Sequence, residues 1–159
     1  MKIAVAFLSI FMASGLTMVT VYNTLVDARS WGASVPASIQ TARDYYREVD
    51  PRRFYLIAGP PTVLLGLLAT AAFWRDSATL RLYFGASALC YVFIVVLTIS
   101  YFVPRDLILF RGPLHDHLDD VRAAVGQWRR MNWARTLLGC AGVWCSARAL
   151  DLYYTTLAR

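Results

Sequence analysis

The chain has 159 residues, of which 58% are hydrophobic and 16% charged, and it carries a net charge of +6. An average soluble domain is roughly 25% charged, and a small soluble chain has too little interior to hide this much apolar surface. These figures exclude an ordinary soluble domain and favour a single domain, residues 1–159, built for lipid.

Three runs carry no charged side chain: Ile3 to Val26, Phe54 to Trp74 and Leu82 to Pro104. Each reaches the ~20 residues that a helix needs to cross ~30 Å of hydrocarbon. They lack the alternation of barrel strands, so helices are expected. Lys2 before an apolar run also opens secretory leaders, but this run continues past Gly15 to Val21 without a small-x-small cleavage site. It is expected to be a first membrane helix over about 3–26.

A polar turn follows, with Asn23, Asp27, Arg29 and Ser30. Pro36 suits a helix start. Ile39, Ala42, Tyr46 and Val49 then recur at helical spacing, opposite Gln40, Arg43, Asp44, Arg47 and Glu48. The pattern predicts an amphipathic helix over about 36–49, lying in the membrane interface or capping the bundle. Asp50-Pro51 reads as an N-cap and first helical position for a second long helix over 52–74. Pro60-Pro61 within it should kink or break its early turns. Arg75-Asp76-Ser77 turns the chain into a third helix, about 79–103, expected to stop before Pro104.

Beyond Pro113 no further proline occurs, so one long helix is expected over 116–157. At ~1.5 Å per residue it would be about 60 Å long, its first half an Arg-rich stalk and its second half a span. The fold class expected is thus an all-α membrane protein, a bundle of four transmembrane helices with an interfacial helix between the first two. All but one of the 16 basic residues are arginines, and they gather after the first and third helices. By the positive-inside tendency those loops belong in the cytoplasm, with both termini outside a bacterial inner membrane and no nucleic-acid partner. Cys90, Cys140 and Cys145 form no paired motif and are expected as buried, small apolar residues.

Ionisable groups within a span are functional candidates. Arg148 and Asp151 stand three apart, on one face, where they can neutralise each other. Gly139, Gly142, Ser146 and Ala149 make a small-residue face suited to close helix packing. Trp128, Asn132 and Arg135 fall at i, i+4 and i+7, one face that could stack a planar ligand and pair its oxyanion, or equally form an interfacial belt. His115 and His117, with Asp116, Asp119 and Asp120, are weak metal candidates because helix capping already accounts for the acids, and no metal is expected.

Some of these residues, taken with the four-helix layout, resemble the anthrone-oxygenase-like family of small membrane proteins. The resemblance lies in Thr98-x-x-x-x-Val103-Pro104, in Trp128-x-x-x-Asn132-x-x-Arg135, in Gly15 and Tyr22, and in Pro51 with Phe54. Two residues after the proline the family pattern has Asn, whereas this chain has Asp106, which could form a charge pair with Arg135. Fungal members oxidise anthrones to anthraquinones. The resemblance therefore implies a cofactor-independent oxygenase, or a binder of a hydrophobic aromatic small molecule, using Trp128, Asn132, Arg135 and Asp106. The alternative expectation is a non-catalytic accessory subunit, docked on a larger membrane complex or a second copy through the small-residue face and the amphipathic helix.

Overall fold

A computed structural model describes residues 1–49, 51–114 and 116–157. Seven α-helices occur among the described residues and no strand. They are α1 (Lys2–Tyr22), α2 (Ala28–Trp31), α3 (Ala37–Glu48), α4 (Pro51–Ala72), α5 (Ala78–Leu97), α6 (Val103–Phe110) and α7 (Leu118–Leu157). Two π-helical turns, Asn23–Asp27 and Thr98–Phe102, join α1 to α2 and α5 to α6 without a break in the spiral. Three continuous stretches, Lys2–Trp31, Pro51–Ala72 and Ala78–Phe110, are long and apolar enough to cross a membrane.

The four long helices pack in a closed ring, α1 on α4, α4 on α5, α5 on α7 and α7 on α1. Their inward faces are small: Ala6, Ser9 and Ala13 on α1, Ala58, Gly66 and Ala69 on α4, Gly139, Gly142, Ser146 and Ala149 on α7. Large apolar side chains such as Phe11, Leu56, Ile57, Leu82 and Leu137 point outward. That inversion of the soluble pattern lets helix backbones approach where burial of bulk is not the driving force. Helix α5 is the exception, with Leu80, Phe84 and Tyr91 buried. The Tyr91 ring lies between Gly66 and Gly142, where a Cβ would stand 2.9 and 2.5 Å from ring carbons. Glycine at both positions is a condition of this packing.

Two expectations about helix ends are corrected. Pro104 does not end the third long helix, which continues through a π turn into α6. A proline crowds the turn before it and donates no amide; the wider turn at Thr98–Phe102 relieves that crowding and keeps the chain helical. Likewise α4 stays helical through Pro60 and Pro61. Asp50, the expected N-cap of α4, and His115 lie outside the described residues. Ser77 caps α5, accepting from the Leu80 amide at 3.1 Å.

The first half of α7 is not a free stalk. Val121, Ala124, Val125 and Trp128 are buried against Trp31, Ile39, Phe102, Leu109 and Leu114. The short helices α2, α3 and α6 thus wrap the base of α7. Helix α3 turns Ile39, Ala42 and Tyr46 inward onto this cluster. Arg43 fastens it, donating to the carbonyls of Leu109 (2.8 Å) and Gly112 (2.7 Å) at the C-terminal end of α6. A cation at that end also suits the helix dipole. Cys140 is exposed on the outer surface, and Cys90 and Cys145 are half-buried, so the three thiols are not the fully buried residues expected.

Candidate functional site

The face predicted on the last long helix exists and points inward: Trp128, Asn132 and Arg135 are 5%, 0% and 6% exposed. Its three members do different things. The Asn132 side-chain nitrogen donates to the Thr20 carbonyl at 2.8 Å and to the Thr24 hydroxyl. One turn on, the Thr136 and Thr20 hydroxyls meet at 2.9 Å. Asn132 is therefore first a tie between α7 and α1. Its Oδ1 remains buried with no hydrogen-bond partner among the described residues.

Arg135 has no such tie. Its guanidinium carbon lies 4.2 Å from the centre of the Phe102 ring, 5.6 Å from Trp128 and 5.9 Å from Tyr55. Among the described residues no hydrogen bond or ion pair reaches it, and Nε is wholly buried without a partner. Three aromatic faces attract a cation, each by about 0.5–2 kcal/mol, but they leave the buried Nε–H unsatisfied. A buried charge in that condition is costly.

Asp106 stands close by on α6. Its Oδ1 accepts from the Trp128 indole N–H at 2.9 Å. It makes no direct bond to Arg135, contrary to the charge pair drawn from sequence, but lies within electrostatic range of it. The indole holds the carboxylate from one side through Oδ1, and the Arg135 and Arg52 charges lie within electrostatic range of it. Trp128 also sits edge-on to Trp31 (5.0 Å) and Phe102 (5.3 Å), so its ring is held by packing as well as by its hydrogen bond.

Residues not foreseen complete the site. Tyr55, one turn into α4, donates from its hydroxyl to Asn23 Oδ1, and Asn23 Nδ2 donates to Asp27 at 2.5 Å. Both Asn23 and Asp27 belong to the first π turn, and Phe102 closes the second. Such turns recur at functional sites because each redirects the side chains beyond it. In sequence the only signal was the i, i+4 spacing of Asn23 and Asp27. Outside these residues, Tyr46 of α3 packs on Trp31 and Phe110. Burial, with Asp27 nearby, pushes its phenol well above the ordinary value, so it stays neutral. Burial lowers the pKa of the Arg43 guanidinium, and the carbonyls it serves favour its charged form.

The other candidates lie elsewhere. Arg148 and Asp151 pair with each other on the outer surface, both about half exposed. His117 stands 3.9 Å from Asp120 and borders a cleft of about 280 Å³ with Gly112, Pro113 and Gln127. Among the described residues no group of three metal-ligating side chains is present. The small-residue face is used inside the chain, Gly139 against Thr17 and Gly142 against Tyr91.

A guanidinium with an unused buried N–H, walled by aromatic rings and beside a carboxylate, carries the kind of donor that pairs with an acidic oxygen. The family model described as anthrone oxygenase matches residues 52–145. That range holds Tyr55, Phe102, Asp106, Trp128, Asn132 and Arg135 but not the Asn23–Asp27 turn. No curated protein and no solved structure matches the chain. With more than half of its length matched, the chain belongs to the anthrone oxygenase family.

Proposed function

We propose that the chain is an integral membrane protein that binds a planar phenol or its keto form at Arg135 and oxidises it with dioxygen, without a metal or flavin. The observation that carries this reading is the Arg135 guanidinium, enclosed by Phe102, Trp128 and Tyr55 and lacking any protein acceptor among the described residues. An oxyanion supplied by the ligand would satisfy it. Asp106 Oδ2 takes the proton released as the substrate ionises, and Arg135 holds the resulting oxyanion. For an anthrone, dioxygen then adds at the carbanionic carbon. The hydroperoxide loses water to leave the quinone, so that anthrone and dioxygen give anthraquinone and water.

In this reading four helices cross the membrane. The packing of α7 along both α1 and α5 supports its crossing beside them, although its own charges make it less apolar than the other three. Arg148 and Asp151 sit at headgroup level, since their neighbour Leu150 shares a cluster with Leu80 at the start of α5. The arginine-rich end, with α3 at the interface, faces the cytoplasm of a bacterial cell, and the termini face outward. The accessory-subunit reading loses support because both features that suggested it, the small-residue face and the apolar face of α3, are spent on packing within the chain.

The test is anthrone oxidation by the protein in lipid nanodiscs, followed by quinone absorbance and oxygen uptake. A rate above empty nanodiscs that is lost in both Arg135→Gln and Asp106→Asn is expected. Oxidation no faster than in empty nanodiscs would reject the reading.

A further inference from the structure

On the outer surface between α1 and α4 runs a groove of about 330 Å³, lined by Phe11, Met12, Gly15, Met18, Phe54 and Ala58 among others and almost wholly apolar. Gly15 opens it: a Cβ there, or at Gly59 nearby in sequence, would meet nothing within 4 Å. At its Phe54 end, the Phe54 ring stands edge-on to that of Tyr55, 5.3 Å away, and Tyr55 in turn faces Arg135. The Tyr55 ring thus stands beside both a wall of the apolar groove and the Arg135 guanidinium.

From this adjacency we infer that the ligand is a bilayer-dissolved amphiphile, an acidic aromatic head at Arg135 carrying an alkyl tail that lies in the α1–α4 groove. The inference rests on the ligand site proposed above and adds the class of ligand and its route. A head held by Arg135 needs an exit for whatever is attached to it, and the groove offers hydrocarbon-lined space on the side where hydrocarbon is the solvent. The hydrogen bond from Tyr55 to Asn23 Oδ1 ties α4 to the π turn that follows α1, so breaking it frees the Tyr55 ring to admit the head. Pro60 and Pro61 lie just beyond that turn of α4. Without their amides, two helical hydrogen bonds are missing and the segment carrying Phe54 and Tyr55 bends more readily. The tail exchanges lipid neighbours for protein neighbours with little gain in energy. Its effect is therefore on position, and position is what the experiment must read.

The probe is 3-pentadecylphenol bearing a diazirine in mid-tail, photolysed with the protein in phosphatidylcholine nanodiscs and mapped by peptide mass spectrometry. Adducts are expected on segments 11–18 and 54–58, falling roughly tenfold in Arg135→Gln, the loss of one charged hydrogen bond. They should fall similarly in Gly15→Leu, whose side chain fills the groove without touching the packed interior; thermal unfolding of each variant checks its fold. Adducts spread evenly over the outward faces of all four helices would overturn the inference. So would adducts confined to the groove but unchanged in Arg135→Gln, which describe an ordinary lipid tail. Failure here with anthrone still oxidised leaves the site reading intact. Failure of anthrone oxidation with Arg135-dependent groove labelling removes the oxidation and keeps the amphiphile.

Discussion

Lys2 and Arg135 are both cations set among aromatic rings, at opposite ends of the four long helices, and they are completed differently. Lys2 lies 5.1 Å from the Phe73 ring and 4.9 Å from Tyr153, and its ammonium also meets Asp76 at 2.7 Å. Arg135 has three rings and no carboxylate in contact. Around Lys2 the helices are regular and a serine caps α5. Around Arg135 two π turns interrupt the α-helical register, and two buried polar atoms, Arg135 Nε and Asn132 Oδ1, go without partners. The first end shows the same interaction finished for stability. The second leaves it open, an arrangement that the ligand proposed above would complete.

The largest effect expected to test this contrast comes from Arg135→Met. If the guanidinium is there for a ligand, oxidation or binding should fall about 100-fold, the loss of charged hydrogen bonds worth ~3 kcal/mol. The melting temperature should hold or rise, because replacing a buried unpaired charge by an apolar side chain is neutral or favourable. A large drop in melting temperature would make Arg135 structural and erase the contrast.

Trp128→Phe should cost less. It keeps an aromatic ring in the cluster but removes the N–H that holds Asp106, for an expected five- to tenfold loss of rate, or about 1 kcal/mol. Steady-state oxidation at saturating anthrone reads it, and an unchanged rate would take Asp106 out of the proton transfer.

A stability effect alone is expected from Arg43→Ala, which unfastens α3 from α6. Partly exposed hydrogen bonds from a charged group suggest a cost of about 1–2 kcal/mol, measurable by thermal unfolding. The smallest effect should come from Lys2→Met at the finished end: a minor, salt-sensitive loss of thermal stability with oxidation unaltered, since exposed ion pairs are screened. If Lys2→Met instead abolished oxidation, the division between the two ends would fail.

The sequence by itself determined the helical class, three of the long apolar helices, the continuous last helix and the shared face of Trp128, Asn132 and Arg135. All of these follow from charge spacing and the 3.6-residue period within one segment. What a residue meets across a helix interface does not follow from that period. Asn132 looked like a ligand donor until Thr20 and Thr24 took its amide hydrogens. Tyr55 and Phe102 carried no distinctive spacing, yet their rings stand against Arg135. Tertiary structure decided these roles because each π turn adds a residue to its coil and rotates everything beyond it by ~100°. That rotation sets which face of α2 and α6 meets α7, and no local pattern of polar and apolar residues records it.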